Sequence, residues 1–276
     1  MPELAEVEFF RNRWDQAAAG QRINAVELHP HAKVFRGSDP AAIARAATGA
    51  RLLSSESAAK QMLFRLSGNA WLGIHLGMSG ELFVRAPDYR PTRHGHLALV
   101  TRKHTLVFTD PRMFGRVQFH GGPKPPDWWT KIAPAILSRE FTADAVAAFL
   151  RRRARAPIKA VLLMQERFPG IGNWMADEIL WRAAIHPKRP AGSLTAAETN
   201  TLWRECRRVS RQALDAIAGR GDDLPADLNV NIPETWLFRH RWRAGGRCPK
   251  TGVVLLREIV GGRTTCWSPA ARKSVV

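Results

Sequence analysis

Hydrophobic side chains recur with two different periods along this chain of 276 residues. Near the N-terminus, Leu4, Val7, Phe10 and Trp14 follow one another at spacings of three and four residues. This is the spacing of one face of an α-helix, and proline suits a first helical turn. The pattern therefore predicts a helix over residues 2–19.

After this helix the pattern changes to short apolar runs separated by Gly, Pro and Asp, which is typical of β-strands. One helical patch, near residues 40–47, interrupts them. Strands of this kind bury one face by packing against another layer, so we expect a sandwich or a barrel. The predicted strands cover residues 23–28, 61–66, 71–75, 82–86, 96–101, 105–108 and 117–119.

The second half of the chain has helical periodicity. It follows residues 120–131, where the sequence Gly-Gly-Pro-Lys-Pro-Pro-Asp predicts a linker without regular structure. A polar loop is expected over residues 220–231, and glycine-rich turns at 245–246 and 261–262 predict a C-terminal β-hairpin. The predicted helices cover residues 144–153, 159–166, 174–184 and 196–218.

These elements predict an α+β fold. An N-terminal helix and β-sandwich are followed by a helical domain that ends in a hairpin finger. The expected domains are residues 1–119, a linker at 120–135, a helical domain at 136–235 and the finger at 236–276.

The charge of the chain is strongly basic. It carries 42 Lys and Arg residues against 24 Asp and Glu residues, a formal net charge of +18. Such a field attracts polyanions, and counterion release strengthens binding to nucleic acid. A genome rich in G and C favours arginine and gives the same composition without a function. Charge alone does not separate DNA from RNA or a membrane surface.

Two features favour the cytoplasm. The N-terminus carries acidic residues where a signal peptide carries basic ones. Three cysteines, at positions 206, 248 and 266, are too few and too scattered for a disulfide framework. In addition, no run of about eighteen apolar residues predicts a membrane span.

The N-terminus also carries candidate chemistry. Removal of Met1, which is usual before a small residue, exposes a secondary amine at Pro2. An α-amine titrates at about 7.7–8.0 and is therefore partly unprotonated at neutral pH. Such an amine is a nucleophile of the Schiff-base type, and the nearby Glu3 and Glu6 could supply or relay protons. The alternative is an ordinary helix start with acids that suit the helix dipole.

A second candidate site is the glycine-containing loop at residues 165–173. Gly170 and Gly172 allow tight turns, and the following helix start, with the Asn173 amide, offers donors to a phosphate. Lys159 could contact the same phosphate. The alternative is a turn that simply joins two packed helices.

Motifs at residues 1–8, 75–80, 109–115 and 159–187 together resemble one known family. They are similar, in this order, to the N-terminal catalytic motif, two barrel motifs and the helix–two-turn–helix of the formamidopyrimidine-DNA glycosylase and endonuclease VIII family. The two barrel motifs resemble its formamidopyrimidine branch. The resemblance extends over nearly the whole chain.

The resemblance implies roles for the catalytic residues. Pro2 is the expected nucleophile, Glu3 the acid that helps to open the sugar, and Glu6 a supporting proton relay. Lys60 matches a β-hairpin lysine beside the target phosphate, although a solvated lysine between two strands is the alternative. Arg263 matches the arginine at the hairpin tip that binds the phosphate of the lesion.

The resemblance also implies two sets of DNA contacts. Lys159, Gly172 and Asn173 are expected at phosphates that flank the lesion. Three residues are expected to fill the space left by an extruded base and to meet the opposite base, which suits apolar wedges and a guanidinium. The alternative places the apolar ones in the core. These three are Met78, Arg112 and Phe114.

The C-terminal finger departs from the family pattern. Many members hold zinc with four cysteines, but here Cys248 alone stands at a ligand position. Thr251, Ser268 and Ala271 occupy the other three, and one thiolate cannot hold a structural zinc. The resemblance therefore implies a zincless finger without a metal. We expect it to be stabilised by the apolar side chains of Val254, Leu256, Ile259 and Trp267.

The expected activity is that of a bifunctional DNA glycosylase and abasic-site lyase of base-excision repair. Its expected partner is double-stranded damaged DNA in the cleft between the domains, bound by a monomer without a cofactor or a membrane. The expected substrates are oxidised purines such as 8-oxoguanine or formamidopyrimidines, released through a Pro2 imine before β,δ-elimination. The expected location is the bacterial cytoplasm, at the nucleoid.

Two alternatives stay open. One is an endonuclease VIII-like enzyme for oxidised pyrimidines, and the other is a non-enzymatic DNA-binding relative. The loop at residues 219–233 lacks the Gly- and Thr-rich approach to the cap of the formamidopyrimidine branch, so the sequence does not fix the lesion.

Overall fold

The computed structural model describes residues 2–29, 31–219 and 224–270 of an α+β protein. The chain divides into two compact units. Unit 1 comprises Met1–Ile132 and Ala218–Leu224, and unit 2 comprises Ala133–Ile217 and Pro225–Val276. Within the described ranges no helix is long and apolar enough to cross a membrane.

The described residues of unit 1 form three helices and eight strands. The helices are α1 (Leu4–Ala18), α2 (Pro40–Ala47) and α3 (Asp127–Thr130), and a 3₁₀ turn spans Lys33–Phe35. The strands are β1 (Ala25–Leu28), β2 (Leu52–Ala58), β3 (Gln61–Leu66), β4 (Ala70–His75), β5 (Glu81–Arg85), β6 (Gly95–Val100), β7 (Thr105–Thr109) and β8 (Arg116–Gly121).

These strands form two antiparallel sheets of four. One has the order β1-β6-β7-β5 and the other β2-β3-β4-β8. Helix α1 contacts β5 of the first sheet and β2 and β3 of the second. Trp14 makes both contacts, because its indole N–H donates to the Phe83 carbonyl at 3.1 Å and its ring lies 5.2 Å from that of Phe64. The buried face of α1 thus fixes the N-terminus against both sheets.

The predicted helix at residues 2–19 and the predicted strands are confirmed with small shifts at their ends. Strand β2 was not predicted, because its sequence Leu-Leu-Ser-Ser-Glu-Ser-Ala is polar. It lies at the edge of its sheet, where most of its side chains remain at least partly exposed. The expectation that residues 120–131 lack regular structure is wrong. Helix α3 lies there, and its Trp128 packs on Gly73 of β4, where an added Cβ would lie 2.4 Å from the indole.

Unit 2 is mainly helical. Its helices are α4 (Ala143–Arg152), α5 (Ile158–Leu162), α6 (Asn173–Arg182), α7 (Ala196–Ala213) and α8 (Leu237–His240), with a 3₁₀ turn at Ala191–Ser193. Helix α7 continues into a π-helical turn at Leu214–Ala218. Phe168 lies between Phe141 and Phe149, with ring centroids about 6 Å apart, and together they form part of its core. The predicted hairpin is confirmed as β9 (Leu256–Val260) and β10 (Arg263–Trp267).

Candidate active site

At the start of α1, Pro2 is followed by two acidic residues, Glu3 and Glu6. Pro2 directly precedes the helix and is partly exposed. Glu3 is the N-cap and only 2% exposed, and its backbone N–H donates to the Glu6 carboxylate at 3.2 Å in a capping box. The capping box and burial therefore restrain Glu3, the residue that directly follows the candidate nucleophile. The predicted removal of Met1 concerns a residue outside the described ranges.

Lys60 lies in the two-residue turn between β2 and β3, where Ala59 has a positive φ of 56°. It is half-buried, and its neighbour Gln61 pairs with His75 at the end of β4. Burial, and next the charge of Lys60, lower the pKa of His75; Arg36 and Arg116 act in the same direction. Three positive charges thus act on the His75 ring, and positive charge gathered in this way suits a phosphate.

The three predicted wedge residues lie on two neighbouring turns of unit 1. Met78 is 37% exposed and Phe114 is 50% exposed, and the Arg112 guanidinium lies 4.7 Å from the centroid of the Phe114 ring. The turns touch, because a Cβ on Gly77 would lie 2.4 Å from the Gly115 nitrogen. Their exposure leaves no place for Met78 and Phe114 in the core, which was the alternative interpretation.

A buried carboxylate joins the two turns. Asp110 is 0% exposed. One oxygen accepts from the Ser79 hydroxyl at 2.6 Å and from the Arg112 N–H at 3.2 Å, and the other accepts from the Gly115 N–H at 2.6 Å. Asp110 therefore holds the turn that carries Met78 to the turn that carries Arg112 and Phe114.

Two further side chains hold the same turns. Arg36 donates to the carbonyls of Gly115, at 2.7 Å, and Phe114, at 3.1 Å. The His75 Nδ1 accepts from the Gly77 N–H at 3.1 Å. Sequence reasoning assigned no role to Arg36, His75 or Asp110. His75 and Asp110 stand inside the family motifs, which was an available signal, whereas nothing in the sequence marked Arg36.

In unit 2 the loop before α6 is closed by a glutamine. The side chain of Gln165 donates to the Ile171 carbonyl and accepts from the Gly170 N–H, both at 2.9 Å. Gly172 is the N-cap of α6 and Asn173 its first residue. The Asn173 amide donates to the Thr264 carbonyl of β10 at 2.8 Å. The helix start and the hairpin are therefore directly connected.

The position of Lys159 differs from the one that the sequence predicted. Its side chain is 0% exposed, and its ammonium donates to the Asn173 carbonyl at 2.6 Å and to the Asp177 carboxylate at 2.5 Å. A fully buried ammonium cannot reach a phosphate in solvent, so the expected direct contact of Lys159 is wrong for this structure. Its partners place it beneath the start of α6 instead.

Arg263 lies at the hairpin tip, as predicted. It begins β10, pairs with Val260 and is exposed. The two-residue turn before it has positive φ at Gly261 and Gly262. A Cβ on Gly261 would lie 2.6 Å from the Ala160 Cβ, so the turn packs closely on α5. Unit 2 thus brings Gly172, Asn173 and the hairpin of Arg263 to one edge, while Lys159 lies beneath it.

Comparison with known proteins gives one family throughout. The model of the formamidopyrimidine-DNA glycosylase N-terminal domain matches residues 1–117, and that of the formamidopyrimidine-DNA glycosylase H2TH domain matches residues 132–221. The formamidopyrimidine-DNA glycosylase of Thermus thermophilus is 34% identical over 276 residues, with 99% of this chain and 98% of that protein covered. The one from Roseiflexus is 33% identical, with 99% and 100% covered. The chain belongs to the formamidopyrimidine-DNA glycosylase family.

Solved structures share the fold of this family member. A Lactococcus lactis Fpg complex with DNA containing an abasic site has a TM-score of 0.85 at 23% identity, with 99% of this chain and 100% of that chain covered. The family is one of bifunctional DNA glycosylase/lyases, so the enzyme class predicted from the sequence is confirmed.

The finger of this family member is stabilised differently from the sequence prediction. Val254 and Leu256 are each 44% exposed and Ile259 is 66% exposed, so these side chains do not form its core. The buried cluster consists instead of Trp181, Leu237, Cys248, Leu255 and Cys266.

The residues at the family's zinc positions do not fit zinc. The Cys248 sulfur accepts from the Trp181 indole N–H at 3.3 Å. Burial raises the pKa of the Cys248 thiol, but hydrogen bonds, among them those of Thr251 and the Trp181 indole, outweigh it and lower the pKa to about 7. Ala271 lies outside the described residues. One sulfur and two neutral hydroxyls are not a structural zinc set, and the described ranges contain no group of three His, Cys, Asp or Glu suited to a metal.

The first prediction concerns the wedge turns. Asp110→Asn places an amide among the buried donors of Ser79, Arg112 and Gly115, and should lower the free energy of unfolding by about 1–3 kcal/mol. Hydrogen exchange of residues 76–80 and 110–115 should become faster. The control is Asp88→Asn, an exposed position in unit 1, and unchanged exchange in Asp110→Asn would show that the carboxylate does not join the turns.

The second prediction concerns the thiol of the finger. Because the folded pKa of Cys248 is about 7 against an ordinary 9.0, its stabilisation is complete above pH 9.0 and is lost as the pH falls through about 7. The stability difference between wild type and Cys248→Ala, measured by denaturant unfolding, should therefore widen from pH 6.5 to pH 9.

The control is Cys206→Ala. Burial raises the pKa of the Cys206 thiol, so the cost of Cys206→Ala should not grow with pH and should fall slightly near pH 9, where the unfolded thiol begins to ionise. A Cys248→Ala difference that does not change with pH would contradict the hydrogen-bonded thiol. Elemental analysis should find no stoichiometric zinc, and one zinc per chain would overturn the zincless assignment.

Proposed function

We propose that this protein is a DNA glycosylase with abasic-site lyase activity, with Pro2 as its nucleophile and oxidised purines as its substrates. The observation that carries this proposal is the position of Pro2 at the start of α1 beside the buried Glu3. A protein that only binds DNA has no need of this pair. Family membership over the whole chain supports the same conclusion.

The proposed reaction begins after removal of Met1. The Pro2 nitrogen forms a bond to C1′ of the damaged nucleotide, and the base leaves with the electron pair of the glycosidic bond and takes up a proton. The bond between C1′ and the ring oxygen then breaks, and Glu3 protonates that oxygen. The product is a covalent iminium of the Schiff-base type.

Strand cleavage follows from the iminium. It acidifies C2′, so loss of a C2′ proton expels the 3′ phosphate in β-elimination. A second elimination, across C4′ and C5′, expels the 5′ phosphate, and water then releases the sugar fragment from Pro2. Glu6, in the capping box, supports the Glu3 proton transfers.

Each unit contributes its own proposed DNA contacts. In unit 1, Met78 and Phe114 fill the space of the extruded base, and Lys60 binds the phosphate of the target nucleotide. In unit 2, the Gly172–Asn173 helix start and Arg263 bind phosphates, with a backbone N–H and a guanidinium as donors. The net charge of +18 favours such a polyanionic partner.

The opposite base favours the oxidised-purine assignment over the oxidised-pyrimidine alternative. The Arg112 guanidinium is exposed on its turn and is stacked on Phe114. It donates naturally to O2 and N3 of cytosine, whereas adenine presents an amino donor at its pairing edge. Oxidised purines derived from guanine lie opposite cytosine, so an arginine at this position suits them.

The nucleophile is tested by borohydride trapping. Wild type should become covalently attached to abasic or lesion-bearing DNA, and Pro2→Gly should reduce trapping by more than about tenfold, because glycine lacks the secondary amine. Pro40→Gly, at the first turn of α2, is the matched control and should trap like wild type. Equal trapping by Pro2→Gly would indicate a lysine nucleophile, and a retained Met1 on active protein would exclude this mechanism.

The opposite-base assignment is tested by single-turnover kinetics on defined duplexes. Cleavage of an oxidised purine should be about five- to a hundredfold faster opposite cytosine than opposite adenine, since a poorly satisfied buried contact costs about 1–3 kcal/mol. Arg112→Ala should reduce this ratio more than it reduces lyase activity at an abasic site. Arg102→Ala, an exposed arginine of unit 1, should keep the wild-type ratio. Faster removal of oxidised pyrimidines would support the alternative instead.

A further inference from the structure

One carboxylate of unit 2 is enclosed by groups from three other segments. The Asp177 side chain, on α6, is 0% exposed. One oxygen accepts from the Lys159 ammonium of α5 at 2.5 Å. The other accepts from the Arg241 Nε at 3.2 Å and from the Cys266 backbone N–H of β10 at 3.0 Å. Asp177 therefore joins α5, α6, the segment after α8 and the hairpin.

The same contacts also link Asp177 to the proposed phosphate-binding residues. Asn173 lies one helical turn before Asp177, and Lys159 bonds both its carbonyl and the Asp177 carboxylate. The Asn173 amide donates to the Thr264 carbonyl, two residues before Cys266. Asp177 and Asn173 thus hold one strand, β10, at two points on either side of Thr265.

Arg263 depends on this attachment because it begins the strand that is held. Leu256 and Ile259 of β9 are exposed, so these two side chains add little burial to the hairpin. The hairpin is therefore fixed by the buried cluster, the Gly261 turn on α5 and the bond from Cys266 to Asp177. A charged acceptor makes the last of these a strong hydrogen bond.

We propose that Asp177 is a positioning residue that fixes Arg263 relative to Asn173, so that both bind phosphates of one DNA duplex together. Asp177 does not touch the DNA. Lys159 acts in the same way, by holding Asp177 and the start of α6 together. This inference rests on the proposed function and adds to it the residue on which the phosphate-binding edge depends.

The test is the salt dependence of binding, which a general loss of stability does not change. Each phosphate contact contributes about 0.9 to the slope of log affinity against log salt. Binding to a duplex with an uncleavable abasic analogue is measured between about 50 and 200 mM salt. Arg263→Ala should reduce the slope by about 0.9, and Asp177→Asn should reduce it to a similar extent.

In the double variant Asp177→Asn/Arg263→Ala the slope should be little smaller than in either single variant, because both changes remove the same contact. An unchanged slope in Asp177→Asn, or fully additive losses in the double variant, would overturn the proposal.

Two control variants separate the effects of net charge and of stability from the effect on the position of Arg263. Asp144→Asn, near the start of α4, makes the same change of net charge without a contact to the hairpin, and should keep the wild-type slope. Val146→Ala, in the core of unit 2, should lower the melting temperature and also keep the slope. If Val146→Ala reduced the slope as Asp177→Asn does, stability alone would explain the effect and the proposal would fail.

A second variant covers the case in which Asp177→Asn does not fold. Asp177→Glu keeps the charge that pairs with Lys159 and Arg241 but lengthens the side chain by one methylene. It should fold, shift β10 and reduce affinity and slope partially, whereas wild-type binding by Asp177→Glu would count against positioning. If wild type itself shows no preference for the abasic duplex, the proposed function fails; if only the Asp177 variants behave as wild type, this inference alone fails.

Discussion

A buried carboxylate that accepts backbone N–H groups determines the position of the exposed functional segments in each unit. Turns and strand ends carry donors that regular structure leaves unpaired, and burying such donors without a partner is costly. Asp110 accepts from Gly115 and Arg112 in unit 1, and Asp177 accepts from Cys266 in unit 2. Charged acceptors make stronger bonds than neutral ones. The side chains proposed to touch DNA are therefore fixed by groups that do not.

Buried carboxylates of unit 2 also explain how a chain with a net charge of +18 forms a helical core. Asp177 places one negative charge between two cations, of which Lys159 is fully buried, and the buried Glu178 pairs with Arg182 at 2.8 Å while it accepts the Phe238 N–H at 3.2 Å. Burial raises the pKa of Glu178, with Arg182 opposing it. The two buried acidic groups of unit 2 are thus paired with basic ones, and the other basic side chains described in this unit lie at least partly exposed, where a polyanion can bind.

The sequence predicted those elements whose burial depends on their own residues. Helix α1 and strand β4 have clear periods or continuous apolar runs, and both were found. Strand β2 was missed because its position is decided by pairing with β3, not by its polar side chains. Within the candidate site, the position of Lys159 is likewise decided by a partner residue and not by its own side chain. Its motif position was recognised, but a lysine predicts solvent exposure, and only the folded chain places Asp177 against it.

The finger lacks the family's set of four cysteine ligands, and contacts with α6 fix its position instead. In a zinc finger the metal supplies folding free energy within the finger itself. Here the Cys248 sulfur instead accepts from the Trp181 indole of α6, and Cys266 is bonded to Asp177 of the same helix. Val254, Leu256 and Ile259 of the finger are exposed and add little burial to it. The finger consequently depends on α6 for its position, and Arg263 is fixed by the packing of the helical unit, not by the presence of zinc.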